Sequence, residues 1–272
     1  MKVRIFSPVC NNPEFIKLQA KTFERFLDDD YDYIVLNDGL DPDLVSEISK
    51  VCQELSVECV EVPKSLIHSS AAVAHSAVMQ WAYDNIILDK YVDDICVFVD
   101  SDMFAIRDFS ISSFVGNNAL CGVPQHRGPI EYFWPGLLFM NIPLMPNKED
   151  FNVYCGIVRG FNVDAGGIMW HYLNENRGIN LKGIRHTSHI HSCNSNMHVL
   201  CNEVLEKYDE EFRIEILESS FLHYGGASTR NFPDRQKRKR EFVGWLLTAC
   251  IDNSIKMPEV DFVFNKLRGF SK

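Results

Sequence analysis

The stretch Ile95-Cys96-Val97-Phe98-Val99-Asp100-Ser101-Asp102 decides the fold. Five consecutive apolar residues, β-branched and aromatic among them, read as a strand covered on both faces. The run ends in two carboxylates separated by one serine. In extended backbone, residues i and i+2 project to the same side, so both carboxylates converge on one point. There they repel unless a proton or a cation lies between them. Hard oxygen ligands of this kind suit Mg2+ or Mn2+ held together with a substrate phosphate. Asp-Ser-Asp is also ordinary turn chemistry. Its place after a central strand is what favours the ligand reading.

Working outward, apolar β-rich runs alternate with helical patterns. Upstream, Val3–Phe6 is a strand stopped by Ser7-Pro8, and Pro13–Leu27 is helical with Phe15, Leu18, Thr22 and Phe26 on one face. Tyr33–Leu36 is a second strand ending at Asn37-Asp38-Gly39, Pro42–Leu55 a helix, Val57–Val62 a third strand and Ala71–Leu88 a long helix. This order predicts an α/β fold with a mixed, mostly parallel, Rossmann-like central sheet and helices on both faces. Such sheets bind ligands beyond the carboxyl ends of their strands. Ser7, Asp38 and Asp100–Asp102 sit at three such ends.

Downstream the pattern loosens. Ala119–Val123, Leu137–Ile142, Leu181–Arg185 and Arg213–Glu218 read as strands. Asn162–Leu173 reads as a turn running into a helix, and Arg235–Asn253 as a helix. No linker or repeat divides the chain. The expectation is one domain over residues 1–272: a ligand-binding half at 1–115, a second half at 116–230 that completes a cleft, and a C-terminal helical segment at 231–272.

Composition agrees with a globular chain. The 272 residues are 46% hydrophobic and 24% charged, which excludes a disordered or collagen-like protein. No apolar run reaches the roughly 18 residues that span a bilayer; the longest, Phe133–Met145, is interrupted by Pro135, Asn141 and Pro143. The N-terminus lacks the apolar stretch of a signal peptide, so a cytoplasmic location is expected. Nine scattered cysteines without a Cys-x-x-Cys pair read as reduced thiols. The net charge of −10 argues against nonspecific nucleic-acid binding, although residues 230–240 carry a local +5. That run, from Arg235 to Arg240 above all, is either a solvated helix face or a site of attraction for an anionic acceptor.

The segment VFVDSDMF at residues 97–104 resembles the Asp-x-Asp segment of nucleotide-sugar glycosyltransferases with the GT-A fold. The first strand's polar turn, the second strand's terminal Asp38 and the small-residue helix before the carboxylates follow that family's order. So do the later WPGLLFMN, DAGG and HYGGAS segments. The resemblance covers about residues 1–230. It implies a metal-dependent hexosyl- or pentosyltransferase using Mn2+ or Mg2+. A nucleotide-diphosphate sugar, a UDP-sugar by expectation, would be the donor. The acceptor would be a hydroxyl on a glycan, a lipid-linked sugar, a protein or a modified nucleobase in DNA.

By the same resemblance Asp102 ligates the metal, Asp100 contacts the metal or ribose, and His223 completes the site. Ser7, Pro8, Asp38, His75, Ser101, Gly225, Gly226 and Arg230 would hold the donor, with Asp38 at the nucleobase. Arg230 would stand in for a lysine expected six positions after His223, where Thr229 occurs. Trp134, Gly136, Gly166 and Gly167 would lie near the acceptor. Asp164 is the candidate base that takes the acceptor proton; as a lone residue it reads equally well as a helix cap. His68 has either a donor-pocket or a surface role, and Arg107 reads as a phosphate ligand or a surface ion pair. His186, His189, His191, Cys193 and His198 could bind zinc but lack finger spacing, and the favoured reading is that they shape the acceptor cleft or are simply exposed. A freestanding enzyme of this kind suits a bacterium or a virus-infected host cell. Two other readings stand beside it: a non-catalytic nucleotide-sugar-binding protein, and a sugar nucleotidyltransferase. The latter is weakened because IFSPVCNN lacks a Gly-rich basic turn.

Overall fold

The computed structural model describes residues 1–66, 70–190, 214–226 and 233–253. The chain divides into two compact units that interleave along the sequence. The first comprises Met1–Lys17, Asp28–Ser101 and Ser110–Ile184. The second comprises Leu18–Leu27, Asp102–Phe109 and the described part of Arg185–Lys272.

The first unit carries the mixed, mostly parallel sheet. Its strands are β1 (Val3–Val9), β2 (Tyr31–Asn37), β3 (Glu58–Glu61), β4 (Ile95–Val99), β6 (Leu120–Arg127), β7 (Ile130–Asn141) and β10 (Leu181–Gly183). They lie in the order β10-β6-β7-β4-β1-β2-β3. β1 pairs in parallel with β2 and β4, β2 with β3, and β10 with β6, while β7 runs antiparallel to both β4 and β6. The continuous apolar run of β4 is buried along its whole length, as its composition predicts.

Helices cover both faces of this sheet. On one, Phe6, Ile34, Leu36, Cys96, Phe98, Leu138 and Met140 pack with Val78, Met79 and Ala82 of α3 (Ala71–Ala82). Met169 and Tyr172 of α6 (Met169–Glu175) join the same core. On the other, Asn37 donates to Ser49 of α2 (Pro42–Leu55) at 3.1 Å. α2 falls where its local signals put it. The Asp41 carboxylate accepts from Leu44 N–H at 2.9 Å, Pro42 opens the first turn, and Ser56 closes the helix in the left-handed region.

Four features depart from the expected elements. The helix expected over Ala71–Leu88 passes after α3 into a π-helical turn, Tyr83–Ile87, and a last turn α4 (Leu88–Lys90). The extra residue turns Tyr83, Ile86 and Ile87 into the core, where the Tyr83 hydroxyl reaches Lys148 O at 2.8 Å. β7 runs straight through Pro135. Gly122 pairs with Leu138 but Val123 with Trp134, so Pro135-Gly136 lie in a bulge, where a missing N–H breaks no ladder. A short hairpin, β8 (Gly156–Val158) and β9 (Phe161–Val163), precedes α6. Finally, α5 (Ile111–Val115) is an added helix capped by the Ser110 side chain.

The second unit contains α1 from Leu18 onward (the helix runs Glu14–Phe26) and a four-stranded antiparallel sheet in the order β11-β12-β13-β5. Its strands are β5 (Met103–Ala105), β11 (His186–Ile190), β12 (Ile214–Leu217) and β13 (Phe221–His223). β5 and β13 have only three residues each, too few to show a period in sequence. The helix α7 (Pro233–Ile251) buries Phe242, Val243, Leu246, Leu247 and Cys250, a single face at helical spacing. No described helix is long and apolar enough to cross a membrane. The described cysteines are all free thiols.

Candidate metal and nucleotide site

The first unit gathers several of the predicted donor residues at the carboxyl ends of β1, β2 and β4. Asp100 follows β4 directly, and its N–H donates to Gly136 O in the β7 bulge at 2.9 Å. Its Oδ1 lies 3.0 Å from Nε2 of His75, on α3. Asp38 follows β2, its N–H bonded to Val9 O at 3.2 Å. Only 9% of Asp38 is exposed, and Oδ1 has no hydrogen-bond partner among the described residues. Burial pushes its pKa up to about 6, against the favourable charge of His75. Ser7 and Pro8 lie inside β1, buried, with the Ser7 hydroxyl hydrogen-bonded to the Tyr33 side chain. Ser101 is half-buried.

The second unit positions Asp102 and His223. Asp102 opens into β5, which pairs with β13 so that Met103 faces His223. Tyr224 N–H then donates to Asp102 O at 2.8 Å. Asp102 is 5% exposed, and its Oδ1 lies 3.4 Å from His223 Nε2. The other ring nitrogen, Nδ1, lies 2.8 Å from Glu215 Oε2, on the neighbouring strand β12. Glu215 is itself only 8% exposed.

This row of groups has a chemical consequence. A carboxylate is an acceptor only, so the bond to Glu215 places a proton on Nδ1 of His223. In the neutral ring Nε2 then carries a lone pair, aimed at another carboxylate oxygen. Two acceptors so placed attract a proton or a cation. A carboxylate that fixes the tautomer of a histidine from behind is the usual support of a metal-ligating imidazole. The donor set of carboxylate and imidazole fits Mn2+. Within the second unit, Asp102 and His223 are side chains that could hold a metal ion.

After His223 the backbone takes positive φ at Gly225 (71°) and Gly226 (80°), a conformation that glycine adopts without strain. The buried Lys239 of α7 donates to Gly225 O at 2.8 Å and lies 4.1 Å from the centroid of the Tyr224 ring. This residue of the basic run is therefore not part of a solvated helix face. Arg230 lies outside the described residues, as do His68, His191, Cys193 and His198; of His186 and His189 only the backbone, in β11, is described. Arg107 is half-buried in the segment after β5.

Trp134 and Gly136 flank Pro135 in β7. A Cβ on Gly136 would fall 2.1 Å from the Trp134 ring, so the indole lies against this glycine. Asp164 is exposed. Its Oδ1 accepts from Ala165 N–H at 2.9 Å, and its own N–H donates to the Tyr132 hydroxyl at 3.3 Å. Because α6 begins only at Met169, Asp164 closes a turn rather than capping that helix. Gly166 has φ +88°, and a Cβ there would meet Phe133 O at 2.3 Å; one on Gly167 would meet Val163 at 2.2 Å. Both glycines let this turn lie close to its neighbours.

Two features, the place of Glu215 behind His223 and the burial of Lys239 within the basic run already singled out, escape a reading of the sequence. Glu215 sits in Ile214-Glu215-Ile216-Leu217, where a carboxylate among buried apolar residues is the available signal. Lys239 is hidden within a run of similar charges.

No protein-family model and no curated protein matches the sequence. Among solved structures, the chain is similar to the galactosyltransferase LgtC in complex with donor and acceptor sugar analogues (13% identity over 94% of this chain and 98% of that chain, TM-score 0.48). It is also similar to the mannosyltransferase PcManGT from Pyrobaculum calidifontis in complex with GDP-Man and Mn2+ (13%, 67% and 54%, TM-score 0.41). A third is the glycosyltransferase GlyE of Streptococcus pneumoniae TIGR4 (14%, 94% and 64%, TM-score 0.40). At these identities and scores, the functional reading rests on the chain's own residues.

Proposed function

We propose that this chain is a metal-dependent glycosyltransferase of the GT-A type, moving a sugar from a nucleotide-diphosphate donor, by expectation UDP-linked, to an acceptor hydroxyl. One observation carries the reading: His223, held at Nδ1 by Glu215, turns Nε2 toward the Asp102 carboxylate. Such a pair is built for a cation, and Asp-x-Asp after a central strand supplies the second carboxylate. The ordered resemblance of the sequence segments adds the donor class.

In this scheme Asp102 and His223 ligate Mn2+ or Mg2+, with Asp100 contributing from the end of β4. When bound, the cation supplies positive charge that stabilises the departing nucleoside diphosphate. Glu215 keeps the His223 ring oriented and its Nε2 free of a proton. Asp38 accepts hydrogen bonds from the nucleobase, which replace the water lost on burial. His75 holds the Asp100 carboxylate, and Gly225 and Gly226 let backbone approach the phosphates. Trp134 offers a face on which an acceptor sugar can stack. Asp164 takes the proton of the attacking hydroxyl.

The test is a thermal-shift panel of UDP, GDP, CDP and their sugars with and without Mn2+, followed by Asp102→Ala. A metal-dependent rise with one nucleotide series, lost in Asp102→Ala at unchanged unliganded melting temperature, is expected. Equal metal-dependent binding by the variant would overturn the site. Binding without consumption of donor in the presence of any acceptor would favour a non-catalytic role.

A further inference from the structure

Away from this site, α2 and β3 bring together two thiols that the proposed chemistry does not use. Cys52 lies in the last turn of α2, fully buried, and Cys59 lies half-buried in β3. Among the described residues β3 is an edge strand of the sheet, paired with β2, and Cys59 stands opposite Val35. Cys52, three residues after Ser49 and so on the same side of α2, is placed to donate to the Cys59 sulfur. Ser49 Oγ, one helical turn before Cys52, lies 3.9 Å from Cys59 Sγ. Asn37 Nδ2, 3.1 Å from the same Ser49 oxygen, also bonds the Cys59 sulfur. One half-exposed sulfur is therefore ringed by a thiol, a hydroxyl and an amide, all able to donate.

We propose that Cys59 is an oxidisable thiol and Cys52 its resolving partner, the two closing to a disulfide when a peroxide oxidises Cys59. The Cys59 thiolate attacks one peroxide oxygen, the O–O bond breaks, and a sulfenic acid forms as hydroxide leaves. The Cys52 sulfur then attacks the Cys59 sulfur, the S–O bond breaks, and the S–S bond forms. The Cys52 proton leaves with the hydroxyl as water. Overall, two thiols and hydrogen peroxide give one disulfide and two waters. Donors converging on Cys59 stabilise its thiolate and hold its pKa below that of an ordinary thiol, against the opposing charge of Glu61 on the same strand. The partner that donates, Cys52, is held as the thiol by that bond and by burial. Asn37 also fixes the turn before Asp38, through Gly39 N–H at 3.2 Å, so the pair adjoins a predicted nucleotide contact without belonging to it.

Peptide mapping tests the pair on the full chain. Both cysteines fall in one tryptic peptide, residues 51–64. Treatment with hydrogen peroxide at pH 7 and blocking with N-ethylmaleimide should leave that peptide two hydrogens lighter and unblocked. A second cleavage after Glu54 or Glu58 should leave its fragments joined. In Cys52→Ser the sulfenic acid at Cys59 should accumulate and be captured by dimedone. Iodoacetamide should modify Cys59 about tenfold faster than the half-buried Cys155. A doubly blocked peptide after peroxide, or alkylation of Cys59 no faster than that of Cys155, would overturn the proposal. Because neither readout uses nucleotide or metal, failure here is separate from failure of the transferase reading.

Discussion

Replacing Asp38 with asparagine should make the unliganded protein more stable at neutral pH, and by an amount that depends on pH. The buried carboxyl has a pKa raised from 3.8 to about 6. The folded chain therefore holds that proton more tightly than the unfolded chain does. Below about pH 4 both states are protonated and Asp38 costs nothing. As pH rises toward 6 the unfolded state ionises freely while the folded state resists, so the wild type loses stability through this interval. Each pH unit is worth about 1.4 kcal/mol, and the whole interval about 3 kcal/mol. Asparagine carries no charge and escapes the loss. Its amide must find a hydrogen-bond partner, at a cost of about 1–3 kcal/mol if it fails, but that cost is the same at every pH. The diagnostic is thus the slope.

Urea denaturation of both proteins from pH 4 to pH 8 reads this out. The stability of Asp38→Asn relative to wild type should climb by about 2.4 kcal/mol between pH 4 and pH 7 and then level off. Groups common to both proteins cancel in the difference. A difference that stays flat across this range, or climbs only above pH 7, would refute the argument that burial outweighs the groups that favour the Asp38 carboxylate. The same variant should bind the nucleotide series more weakly, since the amide nitrogen donates where the second carboxylate oxygen accepts.

Three further outcomes follow from the geometry. Glu215→Ala should weaken Mn2+ binding about 10–100-fold in calorimetric titration, because the His223 ring loses its partner, whereas Glu215→Gln, which keeps an acceptor oxygen, should lose less. Asp164→Asn should slow sugar transfer by about 10²–10⁴-fold while leaving nucleotide affinity intact; wild-type turnover would leave this carboxylate with only its bond to Ala165. Gly166→Ala should destabilise the fold by more than about 1 kcal/mol in urea, because its φ of +88° and the Phe133 carbonyl both exclude a Cβ.

What the sequence reveals and what it conceals follow from the range of the forces involved. α2 is legible to the residue because Asp41, Pro42 and Ser56 act within a single turn. β4 is legible because double burial demands an unbroken apolar run. The bulge at Pro135 is not, since proline in a strand reads as a stop until the register of β6 shows that no ladder bond is missing there. β5 and β13 are invisible alone, as three residues become strands only when each finds the other. The same holds for the site. Asp100, Asp102 and His223 stand out through motif and residue type. Glu215 matters only because antiparallel pairing sets it opposite His223, eight residues away.

Glu215, Asp102 and Asp38 share a further property. Each is a carboxylate less than one-tenth exposed. A chain selected only for stability would replace buried carboxylates with apolar or amide groups, since the cost of dehydrating a charge is seldom recovered within the fold. Here the costs fall on residues at or beside strand ends rather than across the core. Glu215 and Asp102 both face one imidazole, which can bond both through its ring nitrogens by carrying two protons or by sharing Nε2 with a cation. Asp38 Oδ1 is answered by no described hydrogen bond. Breaches of the burial rule at these few positions are what a binding site requires, because an atom already satisfied within the fold has nothing left to offer a ligand. The stability expected from Asp38→Asn is therefore a measure of the interaction that the folded chain would hold in reserve for a ligand.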